Sequence, residues 1–502
     1  MSDKPELQLS TALAAATAGQ FDQQTTELML ALLREFAERR HQLLNARTQR
    51  QKDYANGVVP VLQSERNAPE RGPEIPQDLL DRRVVLQAQA DAAMLLQALS
   101  SDASSVLVDL GNVLSGSGAA LDAQLLLHDV LTSATRTDAA ASPPLVFCPR
   151  ALEVDETLLH WHDEAVPAAL ADVLLFLQRN AAALARTGHG PYLHLAGLDA
   201  ADEARFWSDI IRWLERADVV PHNAIKVSIG IDSVHANFVL HDIIDAARND
   251  VTAIMTNRHS YLRSFIHTFQ HLPQFVLPDR DELTPATHFL RTQGANLIKT
   301  AHLHGLHVIA ACTASMPPES GEGSRTMQWL RSEIERDARD GFDGCSIADP
   351  GLVQIVKETF DRIMPGQHQL HRLRDDTHIT AADLLQVAKG KITEDGLRAN
   401  IRIALLGAAA GVDASAAQRL HGAEATSASI ELAADQLWQW QWLDTGILDD
   451  GRIIDATLLN AAIQDEATRL NVAPEPLQAA LGKLEKHLQQ RDIVGHFLAH
   501  TR

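Results

Sequence analysis

Eight short apolar runs, separated by longer helical patterns, constrain this chain more than any other feature. They are RVVL (83–86), VLVDL (106–110), LVFC (145–148), YLHL (192–195), KVSIGI (226–231), VTAIM (251–255), HVIAA (307–311) and GCSIA (344–348). Continuous apolar strands alternating with helices are the pattern of a parallel sheet covered on both faces. Eight of them between residues 83 and 348 fit a closed (β/α)8 barrel, with an open doubly wound sheet as the other topology to consider.

The flanks read differently. TELMLALLREFAERRHQLLNARTQRQKD places apolar residues at helical spacing, and NAPERGPEIPQD reads as a linker. Beyond residue 372 the strand runs stop, and EDGLRANIRIALLGAAAGV, ASIELAADQLWQWQWLDTG and PLQAALGKLEKHLQQRDIVGHFLAH are helical. The expected organisation is therefore an N-terminal helical arm and linker (1–77), a TIM barrel (78–372) and a C-terminal helical domain (373–502), an α/β fold overall.

Charge narrows the partners. Lys and Arg number 44 against 65 Asp and Glu, a net charge of −21. That balance argues against nucleic acid and anionic lipid as ligands, which need clustered basic residues. No uninterrupted apolar run reaches the ~18 residues of a membrane span. The three cysteines, Cys148, Cys312 and Cys345, form no CxxC pair, as in a reduced protein without disulfides. The first residues lack the basic start and apolar core of a signal peptide. The expected location is the cytoplasm.

In a barrel, chemistry sits where strands end at the C-terminal face. The side chains there are Asp109, Cys148, Arg150, His194, Asp232, Asn257, Arg258, His259, Ser260, Cys312 and Asp349. Asp232 has the oxygen chemistry to bind Mg²⁺, and equally that of a helix cap. His302, His304 and His307 match no zinc spacing and read as structural histidines. GNVLSGSG (111–118) has phosphate-loop glycines without the lysine, so it reads as a loop. QLWQWQW (436–442) reads as packing.

DLLDRRV (78–84), GPYLHL with EARFW (190–207), FVLPDR (275–280), IERDARDGFDG with PGLV (334–353), ITEDGLRANI (392–401) and QLWQW (436–440) occur in this order. Together they resemble the A-type malate synthases, from roughly residue 30 to 440. The resemblance implies condensation of acetyl-CoA with glyoxylate, and a site of three parts. A Glu and an Asp hold Mg²⁺, an Arg stabilises the enolate, and an Asp is the base.

Those positions are altered in this chain. The family's R-P-R-G-W-H is Cys148-Pro149-Arg150-Ala151-Leu152-Glu153, so Cys148 replaces the enolate Arg, and Arg150, two residues along and in a strand-like segment on the same side, is the nearest remaining cation. The metal Glu is Asp232 and the metal Asp is Ser260. The base falls on Thr426, whose neutral hydroxyl cannot take a proton as a carboxylate does. Of D-F-E-D only Asp109 survives, and the Lys of P-K-L-E is Gly197.

Packing anchors match while the chemical face does not. The leading reading is a malate synthase-like protein impaired or inactive in the family reaction, keeping binding of acetyl-CoA, another acyl-CoA or a protein partner. Two others stay open. One is an active enzyme rebuilt around Arg150, Asp109 and an Asp232-dependent Mg²⁺. The other is a different acyl-CoA carbon–carbon bond enzyme with Cys148 as nucleophile, which requires a depressed thiol pKa.

Overall fold

The structure is a computed structural model. It describes residues 7–9, 21–66, 69–88, 91–111, 118–133, 142–311, 325–410, 426–493, 495 and 497–498. Its strands are β1 (Gln8–Leu9), β2 (Val84–Ala88), β3 (Ser105–Asp109), β4 (Leu145–Cys148), β5 (Asp155–Trp161), β6 (Glu164–Pro167), β7 (Tyr192–Leu195), β8 (Lys226–Gly230), β9 (Val251–Met255), β10 (His307–Ala311) and β11 (Gly344–Ile347).

Eight of these close into a barrel in the order β10-β11-β2-β3-β4-β7-β8-β9, every neighbouring pair parallel. They are the eight apolar runs of the sequence, displaced by at most two residues at an end. The open sheet is thereby excluded. Alternation sends Val85, Leu107, Val146, Tyr192, Met255 and Ile309 into the barrel, where Ile75 and Leu79 close the bottom. The opposite faces of the strands join the surrounding helices in a larger core.

One hairpin has no clear signature in the sequence. β5 and β6 pair antiparallel, and β1 adds to β5. The turn between β5 and β6, His162-Asp163, has φ of 53° and 64°. Positive φ at both positions is a hairpin turn that usually announces itself by Asn-Gly or Asp-Gly, and this one lacks the glycine.

The helix Ala168–Thr187 is long and apolar enough to cross a membrane, yet 78% of that stretch is buried within the fold. It packs under the N-terminal helix Gln23–Ala55. That N-terminal helix also grips the loops after β7 and β8. Arg47 donates from Nε and Nη2 to the two Glu203 oxygens at 2.6 Å each, and from Nη2 to the Gly197 carbonyl at 2.8 Å. Arg50 pairs with Asp199, and Tyr54 Oη lies 2.6 Å from His235 Nδ1.

A second core joins the C-terminal helices Glu394–Ala410, Ser427–Trp442, Ala456–Arg469 and Pro474–Leu488 to the barrel helices Arg258–Thr268 and His288–His304. The tryptophan-rich segment builds that joint. Trp440 Nε1 donates to the Leu277 carbonyl and Trp438 Nε1 to that of Gln490, both at 2.8 Å, and Gln436 Nε2 to that of Pro278 at 3.0 Å.

The bottom of the barrel is charged but paired. Asp343 is fully buried; Oδ2 accepts from Val308 N at 2.8 Å and lies 3.0 Å from His302 Nε2, while Oδ1 accepts from Gln369 N at 2.5 Å. His302 Nδ1 meets the Arg372 carbonyl at 2.8 Å, and His304 Nδ1 that of Glu70 at 3.1 Å. His302 and His304 thus go to separate structural partners, while the buried ring of His307 lies against that of His368, centroids 5.5 Å apart. Arg82 donates to Thr252 Oγ1 at 2.9 Å.

Candidate active site at the barrel mouth

The residues at and just beyond the strand ends shape the mouth. β3 ends on Asp109 and β4 on Cys148, which are paired in register. Asp109 Oδ1 accepts from Gly111 N at 2.7 Å, the local turn that points the carboxyl back over the strand end. The Cys148 thiol is 2% exposed and lies beside that carboxyl. Burial and the Asp109 charge push the thiol well above its ordinary range. Burial pushes Asp109 up as well, against the hydrogen bond from Gly111. A thiol held protonated is a poor nucleophile, which removes the condition the Cys148 chemistry requires.

Arg150 does not join them. Its side chain is 1% exposed and faces Asp172 and Glu156, themselves 0% and 1% exposed. Nε donates to Asp172 Oδ2 at 2.9 Å, Nη2 to Asp172 Oδ1 at 2.8 Å and Nη1 to Glu156 Oε2 at 2.6 Å. The backbone N of Arg150 also donates to Asp172 Oδ2 at 3.0 Å. Asp172 belongs to the helix Ala168–Thr187 and Glu156 to β5. The expectation that Arg150 shares a side with Cys148 and supplies the missing cation is corrected: past the strand end the chain turns, and the guanidinium ties β4 to the hairpin and that helix.

Asp232 and Ser260 are brought together. Asp232 lies just beyond β8, and Oδ1 accepts from Asn257 N, just after β9, at 2.6 Å. Asn257 Oδ1 caps the helix Arg258–Thr268, accepting from His259 N at 3.0 Å and Ser260 N at 3.2 Å. Burial pushes the Asp232 carboxyl up to about 7, against the Asn257 hydrogen bond. Arg258 turns outward, toward Glu333 at 3.9 Å, and lines a cleft of ≈250 Å³ with Arg280 and Trp329.

Thr426 is the N-cap of the helix Ser427–Trp442, its Oγ1 accepting from Ser429 N at 3.2 Å. Leu432 of that helix lines the same cleft as Arg258 and Leu262, and Asp435 binds Arg263 Nε at 2.8 Å and lies 2.7 Å from His267 Nε2. The two helices therefore run side by side, with Thr426 toward the end that carries Ser260. Its hydroxyl works as a cap. The preceding residues 411–425, Cys312 and Asn112 to Ser117 of the glycine loop lie outside the described residues.

Inward polar groups of the barrel pair across neighbouring strands. Gln87 Nε2 donates to Ser346 Oγ at 2.8 Å, and His194 Nδ1 lies 3.0 Å from Ser228 Oγ. Each is a polar residue at an inward position of an apolar run, and that is the signal by which a sequence reading can find it. Burial and the Arg82 charge push His194 down to about 4, so it is neutral. At Gly197, with φ +66°, an added Cβ meets nothing within 4 Å, so there is open space at this position.

The donor set is wrong for Mg²⁺. A hard dication asks for several oxygen ligands, usually carboxylates. Asp232 supplies one carboxylate, already accepting from Asn257, and Ser260 a neutral hydroxyl. Among the described residues there is no group of three or more His, Cys, Asp or Glu able to hold a metal ion.

Comparison with known proteins gives one family. Residues 144–387 match the model of the malate synthase TIM barrel domain. Malate synthase A of Escherichia coli (strain K12) is 30% identical over 434 residues, 83% of this chain and 81% of that protein. The malate synthase of Myxococcus xanthus is 30% identical over 460 residues, 88% and 85% of the two chains. The bifunctional glyoxylate cycle protein of Caenorhabditis elegans is 32% identical over 87% of this chain, which spans 47% of that longer protein.

Proposed function

The chain belongs to the malate synthase family, and from that premise we propose that it is a member impaired or inactive in the condensation of acetyl-CoA with glyoxylate, retaining the binding of an acyl-CoA or of a protein partner. The observation that carries this reading is the fate of Arg150. With Cys148 in the place of the enolate-stabilising arginine, Arg150 is the cation left, and two buried carboxylates hold it away from the mouth. Thr426 as a helix cap and Ser260 as a neutral hydroxyl support the same conclusion for the base and the metal.

The magnitudes are large. Loss of a general base costs roughly 10²–10⁴ in rate, and loss of an oxyanion stabiliser roughly 10²–10³. The two readings that keep an enzyme both lose their key residue: the rebuilt synthase needs Arg150 at the mouth, and the Cys148 nucleophile needs a thiolate. Buried free thiols at Cys148 and Cys345 support a reducing compartment such as the cytoplasm.

Acetyl-CoA in D₂O tests the reading. Calorimetry should register acetyl-CoA binding, while NMR should detect no methyl proton exchange above background. Exchange at the rate of an ordinary malate synthase would overturn the loss of the base. Absence of acetyl-CoA binding would remove the retained ligand and leave the protein-partner form.

A further inference from the structure

A cavity of ≈220 Å³ lies apart from the barrel mouth, and none of the strand-end residues named above lines it. The linker residues 62–66, the helices Val234–Phe238, Leu240–Ala246 and His288–His304, and the pair His378-Ile379 surround it. The linker is fastened there, since Gln63 N donates to the Phe238 carbonyl at 3.1 Å and its side chain to Asp242. The volume is below the roughly 300–1,000 Å³ of pockets for drug-sized ligands, so the space suits a small molecule.

The charges around this cavity are paired with one another. Lys299 Nζ donates to Glu65 Oε1 at 2.7 Å and to the Thr377 carbonyl at 3.0 Å. Arg66 pairs with Asp242 at 2.5 Å and with Asp245. His378 is exposed and stands near Glu65. The residues that follow Arg66 outside the described part are Asn67 and Ala68, which bring no charge. A carboxylate entering here would meet Glu65, and an ammonium would meet Lys299 and Arg66, so either sign faces a like charge.

The uncharged groups keep unspent capacity. The Glu70 carbonyl can only accept, so His304 Nδ1, 3.1 Å from it, carries the ring proton and its Nε2 is an acceptor. His241 Nδ1, 3.0 Å from that Nε2, is then the donor. Burial pushes both rings down, His241 to about 4, so both are neutral at pH 7. The Nε2 of His241, on a residue that lines the cavity, is left as an acceptor with no partner among the described residues. Thr300 lines the cavity too, is 4% exposed, and its hydroxyl has no partner among the described residues. Lys299 has a third N–H beyond the two that are spent. Phe238, Leu240 and Leu303 supply apolar contact.

A hydroxyl group donates and accepts, and so meets both the His241 acceptor and the Thr300 or Lys299 donor. We propose that this cavity binds a small uncharged polyol of monosaccharide size, a ligand separate from anything held at the barrel mouth. Lys299 also holds the Thr377 carbonyl, so the occupant sits where the linker, the barrel and the chain leading to the C-terminal helices meet.

Saturation-transfer NMR on the full chain at pH 7 tests this with three neutral polyols, D-ribose, D-glucose and myo-inositol. Glucuronate and glucosamine are the charged matches to glucose. At least one neutral polyol should bind, and about tenfold more tightly than either charged sugar. His241→Phe removes the acceptor and should weaken that binding about tenfold, and the isosteric Thr300→Val about threefold. Folding of each variant is checked by its thermal midpoint; should His241→Phe not fold, Thr300→Val carries the same expectation. No binding of any of the three polyols, or binding of the charged sugars as tight as that of glucose, would overturn the inference. Polyol affinity unchanged in the folded variants would put the probe elsewhere on the molecule and overturn it equally.

Discussion

The two ends of the barrel treat their buried carboxyls differently. At the bottom Asp343 binds two backbone amides and His302, and the hydrogen bond and charge of that histidine hold it below the ordinary carboxylate range against burial. At the mouth, Asp109 and Asp232 face neutral groups, and burial drives both carboxyls up. In barrel enzymes the bottom carries stability and the mouth carries chemistry. Among the described residues, the bottom sets a histidine and two backbone amides against its buried carboxylate while the mouth sets neutral groups against Asp109 and Asp232, a contrast in keeping with the impairment proposed above.

The largest expected effect is at Arg150. Arg150→Ala strands Asp172 and Glu156 in the interior, and urea unfolding should show a loss of about 3–5 kcal/mol. If Arg150 instead served a ligand, stability would change little and ligand affinity would fall.

Next comes the bottom network. Asp343→Asn weakens three contacts of a buried charge and should cost about 2–3 kcal/mol at pH 7. Burial alone would raise the Asp343 carboxyl, but the hydrogen bond and charge of His302 outweigh it and hold it below the ordinary range. A carboxyl depressed in the folded state contributes stability that is present above its unfolded pKa, about 4, and lost as pH falls through the folded value. Stability measured from pH 7 down to pH 3 should therefore fall more steeply for the parent than for Asp343→Asn.

Thr426→Ala removes a cap and should cost about 1 kcal/mol, with no effect on acyl-CoA binding. Thr426→Asp keeps a good cap and places a carboxylate at the position that the resemblance assigns to the base. With Arg150 and the metal position unchanged it should produce no malate, and malate from this single variant would show that the base was the sole loss. The smallest effect is at Cys148. Its raised thiol should react with iodoacetamide far more slowly in the native protein than after unfolding, and fast native labelling would mark a thiolate.

The contrast between the two ends also explains what could be read from the chain. Buried parallel strands are continuous apolar runs, so all eight were legible, and so was the joint built by Trp438 and Trp440. The hairpin was hidden because His162-Asp163 takes positive φ without a glycine. Cys148, Ser260, Thr426 and Gly197 are legible only as the residues that the resemblance sets at the family's site positions. The destination of Arg150 was not: Asp172 lies 22 residues away on another element, and strand alternation, which placed Arg150 beside Cys148, stops applying once the chain leaves β4. Asp232 meeting Asn257 across 25 residues likewise needed the neighbouring strand ends to be in place.

The most direct measurement is CoA thiol release by the purified, folded chain with acetyl-CoA, glyoxylate and Mg²⁺, run beside an authentic malate synthase. If Thr426 and Cys148 stand where the family has its base and enolate cation, as proposed, the expected rate is at least about 10⁴ below that of the authentic enzyme. Release at a comparable rate would contradict the withdrawal of Arg150 from the chemistry and restore this chain to the working members of its family.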